Sequence, residues 1–446
     1  MNPLSSPLLT DLYELAMLQA YFEHGMTDTA VFELFVRKLP PRRNFLLAAG
    51  LEQALEFIER LRFGEEEIDW IERSGLFRRD LIARLARLRF TGDVHALPEG
   101  TVFFPDEPLL RITAPLPEAQ LLETRVLNLL HFQTVVASKA SRFVLAAGGR
   151  TLTDFGLRRA HGAEAALLSA RASYIAGFSG SATVLAGMRF GVPVFGTMAH
   201  SFIQAHASEL QAFENYARSH PSNATLLIDT YDTVAAARKV VALAAKLQRE
   251  GIIVKGVRID SGDLGEYARQ VRRVLDEGGM QGITIFASSG LDEYALRDLA
   301  SAPIDGFGVG TRMNTSADAP YLDCAYKLVE YEGRPKRKCS EGKATWPGRK
   351  QVYRRFDIHG RIEGDTLTVE GDDQEGTPLL VPAMADGSRV AGSPSTETLR
   401  ARARAQLETL PASLASLEHA DPLVPTVSAA LRALAARADS DADRTR

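Results

Sequence analysis

The stretch TLLIDTYDTVAAARKVVALAAKLQREGIIVKGVRIDSGD, residues 225–263, reads as strand, helix, strand. TLLIDT and IIVKGVRI are short β-type runs, and VAAARKVVALAAKLQ between them has apolar residues at helical spacing. Strands joined through a helix in this way pair in parallel by a right-handed crossover. The alternation continues on both sides, over residues 150–312. RTLTDF, PVFGT, ITIFAS and IDGFGV are further strands, and AGFS is a candidate for one very short strand more. AEAALLSARASYI, SATVLAGMRF, FIQAHASELQAFENYA, LGEYARQVRRVLDEG and DEYALRDLAS are helices. Six or seven such units fall short of an eight-fold barrel, which typically takes about 250 residues. The expected fold class is α/β, an irregular and incomplete (β/α) barrel.

Before this core, TDLYELAMLQAYFEH is an amphipathic helix with Thr10 as its N-cap, and TAVFELFVR alternates as a half-buried strand. GLEQALEFIERL and RRDLIARLARL are helices, residues 92–115 form short strands and turns, and a long apolar helix covers 117–148. After 320, YKLVEYEGRPKRKCSEGKATWPGRKQVYRR has the character of antiparallel hairpins. The expected partition is a mixed α/β domain in two pieces, 1–115 and 323–392, a barrel over 116–322, and a helical segment with a tail over 393–446. STETLRARARAQLETL is a helix, and the terminal ADSDADRTR has the composition of a disordered end.

Composition narrows the partners. A chain of 446 residues, 45% hydrophobic and 24% charged, with net charge −4, has no basic field to hold nucleic acid or an anionic membrane. Two cysteines are too few for a disulfide framework or a thiolate zinc cage, and read as reduced thiols of a cytoplasmic protein. The first residues carry neither a basic leader nor an uninterrupted apolar run.

In parallel α/β folds, ligands meet the loops after the carboxyl ends of the strands. Those loops here hold Arg158 and Arg159; then Thr197 and His200; then Asp229 and Asp232; then Arg258, Asp260 and Asp263. ASSG follows with Ser288, Ser289 and Gly290, and GFGVGTRM with Gly306, Gly308, Gly310 and Thr311. Glycines allow backbone N–H groups to approach an anion closely, and hydroxyls complete such a cradle. Arginines and aspartates on the same rim suit a polyanionic substrate accompanied by Mg²⁺. Singly, each has a plainer reading: adjacent arginines as a solvated pair, Asp260 and Asp263 as helix N-caps, His200 as a capping or core histidine. Their recurrence at one end of successive strands favours a shared site. His161 and His206 have no such support and read as structural.

These motifs, in order from LLTDLYELAMLQAYF through TDFGLRRAHG, GFSGSATVLAG, GTMAHSF, LLIDTYDT, VRIDSGDL and GFGVGTRM to YKLVEYEGRPKRK, resemble the nicotinate phosphoribosyltransferase family over nearly the whole chain. The resemblance implies joining of nicotinate to phosphoribosyl pyrophosphate in NAD synthesis, with Mg²⁺ as cofactor and ATP as co-substrate. It further implies a homodimer whose active site lies near the subunit interface. By carry-over, His200 accepts phosphate from ATP. Tyr13, Thr197 and Arg258 hold nicotinate, Tyr13 reaching in from the partner subunit. Thr311 with Gly308 and Gly310 takes the 5-phosphate. On the chemistry of the reaction, Arg158 or Arg159 faces the leaving pyrophosphate, and Asp229 and Asp260 orient the metal's waters or the sugar hydroxyls. The basic loop 37–43 has no assigned contact, and the cysteine-ligated zinc of some relatives is not expected. A nicotinamide-using relative and a non-catalytic sugar-phosphate-binding protein on this fold are the alternatives. A quinolinate-using relative would need a second cationic site and no histidine.

Overall fold

The computed structural model describes residues 3–445. The chain divides into two compact units, Met1–Ser138 with Tyr321–Arg446, and Lys139–Pro320. The boundary between them falls inside the long helix Glu123–Ala147 rather than at residue 116, because that helix is continuous through it. The apolar run expected as one helix over 117–148 is two, Leu116–Leu121 and Glu123–Ala147.

The second unit carries six strands: β1 (Thr151–Asp154), β2 (Gly180–Ser181), β3 (Ala224–Leu227), β4 (Val254–Ile259), β5 (Thr284–Ser288) and β6 (Gly306–Val309). Their order is β2-β1-β6-β5-β4-β3, with every neighbouring pair parallel. Read around a circle, this is plain chain order, the first strand closing against the last, with one open seam between β2 and β3. That is a curled sheet of barrel type, as the strand–helix alternation predicts. β4 and β5 bury Val257 with Ile259 and Ile285 with Ala287 on one face, while Arg258 and Phe286 on the other are half-buried.

At the seam, the run PVFGT does not form the expected strand. A single parallel bridge joins Val194 to Ser181, with Phe195 N–H donating to Ser181 and Ser181 N–H to Pro193, each at 3.0 Å. Pro193 has no N–H to donate, so the ladder cannot extend through it. The helix expected over 202–217 is likewise two, His200–Gln204 and Glu209–Ser219. Ser208 interrupts it, its hydroxyl accepting from Gln211 N–H at 3.2 Å as the N-cap of the second.

In the first unit, a seven-stranded sheet interleaves early and late chain. Thr29–Val36 lies between Pro108–Pro115 and Cys324–Tyr331, antiparallel to both. Its residues from Ala30 onward are all buried, not alternating, since both of its faces are covered. A smaller sheet pairs Lys350–Phe356 with Ile362–Val369. Between these strands Arg354 forks onto Asp365 at 2.9 and 2.5 Å and donates to the Val102 carbonyl at 2.7 Å. Glu107 stands 4.0 Å from the same guanidinium, fully buried. Burial and the neighbouring Asp365 push the Glu107 carboxyl well above the usual carboxylate range. The helix Ala429–Thr445 runs through most of the terminal stretch expected to be disordered. Leu431, Ala435 and Ala438 bury an apolar stripe along it, and Asp439 pairs with Arg337. Arg446 lies outside the described residues.

The first helix, Leu12–Glu23, is entered through Asp11 rather than Thr10. The Thr10 hydroxyl instead donates to Glu14 at 2.7 Å, and Thr124 N–H donates to the same carboxylate at 2.9 Å. Burial outweighs these donors and raises the Glu14 pKa from 4.5 to about 7. The native state therefore holds this proton more tightly than the unfolded chain, and the associated stability is full below 4.5 and lost as pH rises through about 7. Wild-type protein should lose urea resistance across that window, and Glu14→Gln should lose markedly less. Parallel curves for the two proteins would refute this.

Candidate functional site

All six parallel strands end on one side, and a cavity of about 540 Å³ opens there, lined wholly by residues of the second unit. Its size suits a small-molecule site. Its lining includes Arg158, Arg159, Thr197, His200, Arg258, Asp260, Ser288, Gly290, Gly308, Gly310 and Thr311. The strand-end loops read from the sequence thus converge.

Arg258, near the end of β4, donates through Nη1 to the Thr197 hydroxyl at 2.8 Å, while its buried Nε has no hydrogen-bond partner. Burial lowers its pKa, opposed by Asp260 and Asp229. Its guanidinium also lies 6.0 Å from the centroid of the Phe155 ring, which lines the cavity. A half-satisfied arginine beside an aromatic face can take a flat, anionic ring: the fork holds a carboxylate and the aromatic supplies stacking area.

His200 opens its short helix with Nδ1 3.0 Å from the Thr230 hydroxyl and Nε2 3.9 Å from Asp260. Thr230 at Nδ1 leaves Nε2 without a close hydrogen-bonding partner and near a carboxylate. Asp260 is itself held, because Ser288 donates to its other oxygen at 2.5 Å. Asp229 stands behind, absent from the cavity lining: one oxygen accepts from Asp260 N–H at 2.8 Å and Ser261 hydroxyl at 2.7 Å. The other is buried without a partner. Asp232 and Asp263, by contrast, are N-caps, accepting from Ala235 and Glu266 amides at 2.8 and 2.9 Å. The plainer reading holds for Asp263 and not for Asp260, and Asp232 is a cap that the sequence reading did not assign.

The glycine loops are built by packing as much as by backbone freedom. A Cβ on Gly308 would stand 2.5 Å from the Phe155 ring, and one on Gly306 2.7 Å from Phe286. Gly308 therefore makes room for Phe155, which lines the cavity, and Gly306 for Phe286, whose ring centroid lies 6.0 Å from that of Phe155. Gly290 adopts φ +41° and Ser289 φ +134°, the latter a strained position for a residue with a Cβ. Asp154, which sequence reasoning passed over, is buried next in the chain to Phe155 and does not itself line the cavity. It accepts from Gly156 N–H at 2.8 Å, Ser181 hydroxyl at 2.8 Å and Asn314 at 2.7 Å, tying β1, β2 and the helix after β6 together. Phe155 and Thr230 were also missed. A TDF motif at a strand end could have suggested the first, whereas Thr230 shows no signal without the fold.

Tyr13 is exposed on the Leu12–Glu23 helix of the other unit and is not among the lining residues. Burial and nearby Glu123 raise its pKa to about 12, so it is a neutral phenol. Among the described residues there is no group of three or more His, Cys, Asp or Glu able to hold a metal, and no helix long and apolar enough to cross a membrane.

Residues 8–131 match the model of the nicotinate phosphoribosyltransferase N-terminal domain, and residues 150–346 that of the nicotinate phosphoribosyltransferase family. Nicotinate phosphoribosyltransferase pncB2 of Mycobacterium tuberculosis is 51% identical over 414 residues, 92% of this chain and 89% of its own. The nicotinate phosphoribosyltransferase of Bacillus subtilis is 40% identical over 375 residues, 82% of this chain and 76% of its own. The crystal structure of human nicotinic acid phosphoribosyltransferase superposes with a TM-score of 0.87 at 29% identity, covering 96% of this chain and 99% of that one. A nicotinate-nucleotide pyrophosphorylase from Pyrococcus furiosus superposes at 0.75 and 25% identity, covering 91% and 96%.

Proposed function

This chain belongs to the nicotinate phosphoribosyltransferase family, and on that premise we propose that it joins nicotinate to phosphoribosyl pyrophosphate, giving nicotinate mononucleotide and pyrophosphate for NAD synthesis. The reading is carried by one observation: Arg258, beside Phe155 and Thr197, shares a cavity with the two glycine-bearing loops.

Nicotinate lies with its carboxylate on Arg258 and its ring on Phe155. The pyridine nitrogen attacks the anomeric carbon of the ribose. The C–N bond forms as the C–O bond to pyrophosphate breaks, and that electron pair departs with pyrophosphate. Positioning and charge stabilisation supply most of the acceleration in such a displacement. Ser288, Gly290, Gly308, Gly310 and Thr311 hold the 5-phosphate, and exposed Arg158 and Arg159 meet the pyrophosphate. Asp260, which lines the cavity, suits a hard cation brought by the substrate, whose other ligands would be substrate oxygens and water, and Asp229 behind it holds the Asp260 amide and the Ser261 hydroxyl. Mg²⁺ held at Asp260 would supply neutralising charge for the departing pyrophosphate.

His200 couples ATP to the reaction. With Nδ1–H donating to Thr230, the Nε2 lone pair attacks the γ-phosphorus and ADP leaves. The phosphoimidazolium keeps its Nδ1 proton, and its positive charge faces Asp260. The protein works as a homodimer in the cytoplasm, with Tyr13 entering the partner subunit's site. Mixing inactive Tyr13→Ala and His200→Ala chains should then restore turnover in hybrid dimers, and hybrids that form without activity would sink the exchange.

The deciding experiment incubates the protein with phosphoribosyl pyrophosphate, Mg²⁺ and each pyridine base, and identifies the product by mass. Nicotinate mononucleotide is expected, and equal turnover of nicotinamide would overturn the assignment. Replacing Arg258 by Leu removes a charge-assisted pair worth about 1.5–3 kcal/mol. The KM for nicotinate should rise roughly tenfold to a hundredfold. An unchanged KM would place the carboxylate elsewhere.

A further inference from the structure

Two cavity loops, one after β5 and one after β6, lead to the same buried lysine. Lys139, on the helix Glu123–Ala147, is 3% exposed, with Nζ 2.6 Å from Glu293 and 2.7 Å from Asp318. Glu293 begins the helix that follows Ser288, Ser289 and Gly290. Asp318 follows the helix Thr311–Asn314, which Thr311 opens. Arg142, one helical turn beyond Lys139, grips the other Glu293 oxygen at 2.9 Å and the Tyr294 hydroxyl at 2.9 Å. None of these five residues lines the cavity.

The arrangement answers a mechanical need. Ser289 and Gly290 hold positive φ between two anchors. On one side Ser288 is bonded to Asp260, and on the other Glu293 is bonded to Lys139. A strained segment persists only where its surroundings over-determine it. Burial opposes ionisation of Glu293, yet Lys139 and Arg142 hold its carboxyl below the usual range, so the grip is ionic. A charged pair this deep is no stability gain over apolar packing of the same volume.

We propose that Lys139 is a positioning residue, joining Glu293 to Asp318 so that the two phosphate-facing loops keep a fixed spacing before substrate arrives. This rests on the reading of the cavity as a phosphoribosyl pyrophosphate site. A preset spacing lowers the ordering cost of binding, so its loss weakens phosphate binding while leaving the nicotinate end alone.

The test uses the full chain and Asp318→Ala, whose side chain is 27% exposed and therefore tolerant of truncation. Calorimetry with phosphoribosyl pyrophosphate and Mg²⁺, and separately with inorganic phosphate, should show about tenfold weaker binding for both, the scale of ordering cost that a preset spacing removes. The KM for phosphoribosyl pyrophosphate should rise by that factor, with kcat and the nicotinate KM within about twofold. Asp318→Glu should recover most of the affinity. In a Lys139→Met background, Asp318→Ala should add nothing. Unaltered phosphate binding by Asp318→Ala, equal rises in both KM values, or additivity with Lys139→Met would each overturn the proposal. If Lys139→Met fails to fold, the single Asp318 variants decide it. Unmodified protein that binds phosphate but not phosphoribosyl pyrophosphate would instead refute the functional reading, with the loop spacing still read by phosphate. Unmodified protein that binds neither would refute both.

Discussion

His200→Asn should abolish ATP hydrolysis, lowering it roughly a thousandfold or more, as removal of a nucleophile does. The fold should survive, because the His200 side chain is 40% exposed and has little core to lose. Slow ATP-independent transfer should persist, since Arg258, Phe155 and the glycine loops are untouched. Labelling with γ-labelled ATP supplies the readout. A phosphoramidate is stable in base and lost in acid, so the wild-type label should show that behaviour and the variant should carry none. Undiminished base-stable label on His200→Asn would move the acceptor to another side chain. A matched fall in stability and in both activities would make the histidine structural.

The second large effect is on stability. Arg354→Met strands the Asp365 side chain beside Glu107, both of them buried. Breaking a buried pair from one side costs about 3–5 kcal/mol, against a typical total of about 5–15 kcal/mol for a whole domain. Urea unfolding of the variant should therefore begin far below the wild-type midpoint. Combining Arg354→Met with Asp365→Leu should return much of the loss, because the uncompensated charge goes with it. A single-variant cost under about 1 kcal/mol, the scale of exposed pairs, would show that water reaches the cluster.

The contrast between legible and hidden residues follows chain distance. Strand–helix alternation and the common end of parallel strands are local patterns. They were enough to bring Arg158, Thr197, His200, Arg258, Asp260, Ser288 and Thr311 to one cavity. Asp263 and Asp260 look alike in VRIDSGD, yet one caps a helix and the other faces His200. Pairs such as Asp154 with Asn314, or Lys139 with Glu293, join residues more than a hundred positions apart, and no periodicity marks them. The glycines of GFGVG were legible as phosphate elements, but their fit around Phe155 and Phe286 was not, since a missing side chain does not name what fills its place. Tyr13 rests on the family alone.

The seam between β2 and β3 has a consequence in time. After Phe195, whose amide bonds to Ser181, no hydrogen bond from the amides of Gly196 to Ala199 is present among the described residues. Strand amides of β4 and β5 are locked in ladders on both sides. Amides without such partners trade their protons with solvent in brief local openings, whereas ladder amides wait for rarer, larger ones. The four residues before His200 are thus the fast hand of a clock whose slow hand is the barrel wall. A phosphoryl group on the imidazole would meet a segment that can reshape around it without disturbing a single strand pairing.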